Sequence, residues 1–413
     1  MDNFESFKKY LRTDIPGIFN EIFILKKHRG RFNYVLNTDI VLPPYEVIIH
    51  PCSRCNLRCK WCIGGNVPTE KGETKADLQR LPSTLTDPSK MERLIKNLLS
   101  YKKTVTTTED NKEIKKTYGV ENVSFSGLVG EPFVAKESFI RAVELLTEQN
   151  IRVGVYSNGT LLDDELIEAL LKIAYINIDI DTGRASTYSK LKYRGDSKKG
   201  KALFNRLVKN IKKLVEARDK SRTSSLEINA SYVLYPGNYK EIYEAAKLLK
   251  ELGISNLRMK QDDSGQNLLS KEQIVKANKL IEKIDRLVDE KFNFIRIHRL
   301  NNPSEMRRTV DSCMITDLIG AIGSDGNVYP CNYHPRPGGF SYGNALEEDF
   351  QQIWEREERK KIKQKLPSIC PKVCDPFKNR ANKLFAAIKE YQMRYGKEKT
   401  KKLINKIIMY VQQ

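Results

Sequence analysis

The chain has 413 residues, 40% of them hydrophobic and 30% charged, an ordinary globular mix too long for one small core. The N-terminal stretch MDNFESFKKYLRTDIPG is polar and no run of about 18 apolar residues follows. This argues against a signal peptide or membrane span and for a cytoplasmic protein, in which the eight cysteines stay reduced and read as metal ligands or catalytic groups. The net charge of +20 attracts phosphates, acidic substrates or anionic lipids. The Lys and Arg are scattered without an aromatic platform, so a nucleic-acid partner is the less favoured reading.

Residues 1–44 are expected to form a helical extension. Tyr45–His50, YEVIIH, follows two prolines and predicts a strand. PCSRCNLRCKWC (residues 51–62) comes directly after it. A helix is predicted at Lys90–Tyr101, and the polar stretch KKTVTTTEDNKEIKKTYG reads as a surface insertion. Further strands are predicted at Asn122–Ser126, Arg152–Ser157, Tyr175–Asp181, Glu227–Leu234 and Asn256–Lys260. Between them lie predicted helices at Glu137–Gln149, Asp163–Ile173, Lys201–Ala217 and Tyr239–Leu252. About six β-α repeats build a parallel sheet with helices outside, open or curled into a barrel. Barrels of this kind carry active sites at the C-terminal strand ends, where the Cys loop lies.

Beyond Lys260 the pattern changes. A helix is predicted at Lys271–Glu290, a strand at Phe294–His298, then a turn-rich region with four cysteines and a charged helix at Glu347–Leu366. From Phe377 onward the chain reads as a basic amphipathic helix or helix pair, packed on the body or resting on a membrane or RNA. The expected divisions are 1–44, a barrel at 45–262, a smaller α+β domain at 263–375, and basic C-terminal helices at 376–413.

In CNLRCKWC the spacing is Cys55, three residues, Cys59, two residues, Cys62. Three thiolates on a tight loop can hold three irons of a cubane cluster, and a cluster normally takes four cysteines. One iron is then left open, as in a catalytic rather than a structural metal. A zinc knuckle would show two CxxC pairs or a distant His pair.

This loop, with Trp61 before its third Cys, resembles the signature of the radical SAM superfamily. The resemblance covers roughly residues 45–262 and implies an α/β fold, a partial (β/α)6 TIM-like barrel. It also implies a [4Fe-4S] cluster on Cys55, Cys59 and Cys62 whose open iron binds S-adenosylmethionine (SAM). One electron then cleaves SAM to a 5′-deoxyadenosyl radical that abstracts hydrogen from substrate. Cys52 stands where the family often has Thr and is expected to be a bystander. Gly130, Glu131 and Pro132 match the family's Gly-Gly-Glu-Pro element, with Val129 in place of the first Gly. Ser157 and Asn158 resemble its Thr-Asn-Gly element, and Asp179 stands in its Ser-x-Asp element. The implied SAM-site residues are therefore Trp61, Gly130, Glu131, Ser157, Asn158 and Asp179. Arg258 and Lys260, alternating at the sixth strand end, either face the barrel mouth and bind an acidic or hydroxyl-rich substrate or are solvated.

The remaining thiols are Cys313, Cys331, Cys370 and Cys374. Cys313 and Cys331 flank a predicted hairpin turning at Ser324-Asp325-Gly326-Asn327. The Gly326-x4-Cys331 spacing resembles the SPASM and Twitch auxiliary-cluster domains. Four thiols suffice for one cubane, which implies a Twitch-like domain with a second [4Fe-4S] cluster; a four-Cys zinc site uses the same ligands. A saturated cluster serves electron transfer, which would make the net reaction an oxidation. His334, Arg336, His298 and Arg296 are weaker pocket candidates. The cysteine layout is similar to that of aminocyclitol dehydrogenases of the family. The expected reaction is therefore oxidation or epimerisation of a sugar-like small molecule, supported by a reductant such as flavodoxin or ferredoxin. The alternatives are peptide maturation, for which the first 44 residues look too short to form a peptide-recognition domain, and an RNA-binding or RNA-modifying iron–sulfur protein.

Overall fold

The computed structural model describes residues 4–411 apart from 13, 16–19, 67–78, 110–111, 128–129, 194, 196, 263, 301–311, 336–338, 367 and 371–373. Two short helices, α1 (Ile22–Lys27) and α2 (Arg29–Asn37), precede the first strand, β1 (Glu46–Ile49). Helix α3 (Pro88–Ser100) starts where Asp87 accepts from the backbone N–H groups of Ser89 and Lys90, with Pro88 in its first turn.

The polar stretch expected to be a surface insertion forms a hairpin, β2 (Lys103–Glu109) and β3 (Lys112–Tyr118), in register from Lys103↔Tyr118 to Glu109↔Lys112. Its β-branched residues favour extended backbone, and Thr104 and Thr117 pair across the strands at 2.8 Å. Low hydrophobicity had hidden this preference.

The regular repeat then runs β4 (Asn122–Phe125), α4 (Lys136–Glu148), β5 (Arg152–Ser157), α5 (Asp164–Leu170) and β6 (Tyr175–Asp179). It continues with α6 (Ala185–Lys192), α7 (Lys198–Lys220), β7 (Glu227–Leu234), α8 (Ile242–Glu251), β8 (Asn256–Gln261), α9 (Lys271–Asp285) and β9 (Asn293–Arg296). The later elements are β10 (Ile319–Ile322), β11 (Asn327–Tyr329), β12 (Gly343–Asn344), α10 (Phe350–Glu355), α11 (Glu357–Lys365), α12 (Pro376–Tyr395) and α13 (Lys397–Tyr410). The single helix expected at Glu347–Leu366 is two, because Arg356 is extended at φ −68°, ψ 158°. Fully buried Trp354 anchors the first of them, its indole N–H donating to the Leu42 carbonyl at 3.1 Å.

All strands but the hairpin join one ten-stranded sheet, ordered β12-β11-β10-β1-β4-β5-β6-β7-β8-β9. Neighbours are parallel from β10 through β9. The six strands β1 and β4–β8 form the partial TIM-like barrel, and the sheet extends past it on both sides. β9 adds beyond β8, so the sheet runs through residue 262. On the other side β10 lies beside β1, with Glu46 opposite Ile319 and Ile49 opposite Ile322. β10 is buried along its whole length, as a strand covered on both faces must be. It turns at Gly326, φ 85°, into antiparallel β11.

The C-terminal helices pack on the body. Leu384, Phe385 and Ile388 of α12 and Leu403, Ile404 and Ile407 of α13 share a second core with Ile24, Leu25, Phe32 and Ile319. Each such side chain contributes about 1.5–3 kcal/mol by leaving water. No helix among the described residues is long and apolar enough to cross a membrane.

Candidate cluster and nucleoside site

At the C-terminal strand ends lies a cavity of about 160 Å³ lined by Cys55, Cys59, Cys62 and Trp61. Gly130, Glu131, Ser157, Asn158 and Asp179 line it as well. Nine residues scattered over 125 positions thus meet because successive strands end at one rim. Cys52 does not join them: its thiol lies 3.7 Å from the Ser83 hydroxyl and accepts from the Arg54 N–H at 3.2 Å.

The Gly-Glu-Pro element clamps the Cys loop. The Glu131 N–H donates to the Arg54 carbonyl at 2.9 Å. A Cβ on Gly130 would fall 1.8 Å from the Cys52 carbonyl oxygen, so only glycine permits this approach. Val129 lies outside the described residues. Glu131, one of the implied SAM-site residues, is held by the chain itself. Its Oε1 accepts from the Ser157 hydroxyl at 2.6 Å and the Phe133 N–H at 3.2 Å, and its Oε2 accepts from the Asn158 N–H at 2.9 Å. The carboxylate thereby fixes the Ser157-Asn158 turn.

Burial pushes the Glu131 carboxyl up to about 7, against these three hydrogen bonds, which pull it down. The unfolded carboxyl ionises near its ordinary value, so folding takes up a proton between roughly pH 4.5 and 7. Stability from this group is full below that window and falls as pH rises through it. Glu131→Gln is expected to flatten the fall of the apo-protein's melting temperature between pH 5 and 7. Parallel curves for the two proteins would refute the assignment.

Asn158 reaches the first thiol. Its amide Nδ2 donates to Asn56 Oδ1 at 2.9 Å and lies 4.0 Å from Cys55 Sγ. Trp61 is buried against Leu191 and Val233, its ring 5.3 Å from that of Tyr235. Asp179 is raised in pKa by burial and then by Asp181.

Lys192 was not foreseen. At the end of α6 its ammonium meets Asp181 Oδ2 at 2.7 Å, both side chains 1% exposed. It also donates to the Asp179 carbonyl and lines the thiol cavity. The backbone around it docks the Cys loop: the Arg58 N–H donates to the Lys192 carbonyl at 2.9 Å and the Lys60 N–H to that of Leu191 at 3.0 Å. Asp181 holds a left-handed φ of 60°, uncommon for a non-glycine residue, which ends β6 at Asp179. The one available signal was the second acid of the IDID strand end, which needs a cation once buried.

Of the other thiols, Cys313, Cys331 and Cys374 lie near enough to raise one another's pKa. Burial pushes Cys313 up to about 11, with Cys331 adding to the rise. Cys374 is raised by burial and then by Cys313 and Cys331. Cys370 Sγ lies 3.5 Å from Nε2 of fully buried His334. Asn382 Nδ2 donates to Cys313 Sγ at 3.4 Å. At the first site burial likewise pushes Cys59 up to about 12, with Lys192 lowering it and Cys62 and Cys55 raising it. Crowded buried thiols that resist ionisation alone become good ligands once a cationic centre neutralises them. Cys59, Cys313 and Cys374 fit iron–sulfur ligation in that respect.

A larger cavity, about 340 Å³, occupies the barrel lumen. Arg258 and Lys260 both line it, so the inward-facing reading of those residues holds. Ile63, Ser126, Gly127, Tyr156, Asp179 and Lys260 line both cavities and form their common wall. His298 is a structural acceptor, its Nδ1 taking the Gln261 N–H at 2.9 Å. Arg296 pairs with Asp285 on the surface. Arg336 lies outside the described residues.

Residues 49–249 match the Radical SAM superfamily, and residues 313–375, spanning all four later thiols, match an iron–sulfur cluster-binding domain, SPASM. This chain is a radical SAM enzyme with a SPASM domain. Those two domains imply SAM, a [4Fe-4S] cluster and auxiliary iron–sulfur ligation. The radical SAM chain is 23% identical over 329 residues to a tungsten-containing aldehyde ferredoxin oxidoreductase cofactor-modifying protein of Pyrococcus furiosus, covering 74% of this chain and 79% of the relative. Its fold resembles Streptococcus suis SuiB bound to S-adenosylmethionine, with a TM-score of 0.52, 17% identity and coverage of 80% of this chain and 67% of that one. SuiB is also known bound to its precursor peptide SuiA. The fold further resembles anSMEcpe with bound AdoMet and a Kp18Cys peptide, with a TM-score of 0.51, 17% identity and coverage of 88% of this chain and 99% of that one.

Proposed function

We propose that this radical SAM enzyme removes a hydrogen atom from a peptide group seated in the barrel lumen and passes the remaining electron to the auxiliary cluster, a net oxidation. The observation that carries the reading is the common wall of the two cavities, across which a radical formed at one side meets a substrate at the other. The peptide assignment draws on two proteins of similar fold that were solved with peptides bound and takes the peptide alternative in preference to the sugar-like substrate expected from the cysteine layout.

On this reading Cys55, Cys59 and Cys62 would hold a [4Fe-4S] cluster, which when bound would supply the electron for SAM cleavage. Asn158 lends an N–H toward Cys55, Glu131 fixes the turn that carries Asn158, and Lys192 keeps a positive charge beside Cys59. Asp179 lies between nucleoside and substrate. The barrel at 45–262 houses this chemistry, while Cys313, Cys331, Cys370 and Cys374 in 263–375 hold the auxiliary cluster. A cytoplasmic flavodoxin or ferredoxin is the proposed reductant.

Anaerobically reconstituted protein, mixed with SAM and dithionite, is expected to release 5′-deoxyadenosine. It should contain about eight irons per chain, four from each cubane. The Cys370→Ala/Cys374→Ala variant is expected to fall to about four irons while still cleaving SAM. Zinc in place of iron at the second site would end the electron-acceptor role.

A further inference from the structure

The lumen cavity carries more basic than acidic side chains. Five basic residues and three acidic ones, Glu46, Asp179 and Asp375, line it. One of the basic ones is neutralised from outside the lumen, since Arg380 pairs with Glu21 at 2.9 Å; Arg152 stacks 5.0 Å from the Tyr175 ring centre and keeps its charge, so four cations face the three acids. The others are Arg258, Lys260 and Lys378, from β8 and the first turn of α12. Lys378 is 5% exposed and its ammonium donates to Asn332 Oδ1. Arg258 donates to Asn177 Oδ1 at 3.1 Å and lies 5.8 Å from the Tyr156 ring centre. Lys260 belongs to the wall shared with the nucleoside cavity.

The acids offset this charge only in part. Glu46 accepts from the Ser124 hydroxyl at 2.9 Å, and burial raises its pKa. Asp375 caps α12 by accepting from the Lys378 N–H at 3.1 Å, so that helix N-terminus is already satisfied and is not open to a phosphate. A buried cation cluster with a small positive excess and no free helix end suits one monovalent anion better than a dianion.

We propose that the lumen binds a carboxylate of the substrate peptide, from an acidic side chain or the chain end, between Lys260, Arg258 and Lys378. This rests on the peptide reading above and names which peptides it takes. A carboxylate held there places the adjoining carbon chain against the wall shared with the nucleoside cavity.

The test is calorimetric binding to the reconstituted full-length protein with SAM present and no reductant. One probe is an acetylated, amidated pentapeptide with glutamate at the centre of four alanines; its glutamine counterpart is the control. The others are the all-alanine peptide with a free and with an amidated C-terminus, and inorganic phosphate. The glutamate peptide is expected to bind at least about tenfold tighter than the glutamine one, the size of effect seen when a buried cation loses a charged partner. Lys260→Gln and, independently, Lys378→Gln should each shrink that preference to within about twofold. Preference for the free over the amidated alanine peptide would assign the carboxylate to the chain end. Equal binding of glutamate and glutamine peptides with no end effect overturns the proposal, as does phosphate outcompeting every peptide. SAM cleavage by the same wild-type preparation, read after adding dithionite, tests the underlying reading separately.

Discussion

Replacing Cys55, Cys59 and Cys62 together with alanine is expected to remove about four irons per chain and to lower 5′-deoxyadenosine release by at least about a hundredfold, to background. A cubane needs its thiolates to stay in place, and SAM needs the one iron they leave open. The fold should survive, because the loop is moored by its backbone rather than by its sulfurs. Its anchors are Arg58 to the Lys192 carbonyl, Lys60 to the Leu191 carbonyl and Glu131 to the Arg54 carbonyl. Far-UV circular dichroism and melting temperature of the apo-proteins are expected to match wild type. Release of 5′-deoxyadenosine by the triple variant would sink the site assignment.

The second large effect is on stability. Lys192→Met leaves Asp181 as a carboxylate sealed from water, its partner at 2.7 Å gone and both positions 1% exposed. Such an orphaned charge costs about 3–5 kcal/mol. Asp181 Oδ1 also takes the Val233 N–H at 2.7 Å, so the strand end at the rim of the thiol cavity shifts with it. Denaturant titration of the apo-protein should show the loss at pH 7. Adding Asp181→Asn, which removes the stranded charge and retains an acceptor for Val233, should restore part of it. A single variant as stable as wild type, or a double variant no better than the single, would show that the pair does not hold this rim.

Much of this was legible in the residues. The strands between 45 and 261 carry short apolar runs at regular spacing, and that periodicity survives without any structure. The thiol spacing of the Cys loop is local and needed no three-dimensional knowledge. Lys192 was not legible, because a lysine in a short polar helix looks solvent-facing until Asp181 turns beneath it. Nor was the position of β10: IGAI reads only as half of a hairpin, and its parallel neighbour lies far away in sequence. For Glu131 the structure adds a task that the motif does not report, the holding of the Ser157-Asn158 turn. A motif reports that an acid belongs at a strand end, not that its oxygens also accept from Ser157 and from two backbone N–H groups. Arg258 and Lys260 could be read either way from alternation alone, and only the lumen decided between them.

The partner of β1 bears on how the enzyme is made. Glu46 is hydrogen-bond neighbour to a strand translated about 270 residues later, so while the ribosome is still at work the strand leading into the Cys loop has an unfilled edge. Non-local parallel pairings of this kind form slowly, and an open edge invites the wrong neighbour. The strand that leads into the first cysteines is therefore flanked on both sides only after residue 322 has been made, although the loop's own anchors are complete by residue 192.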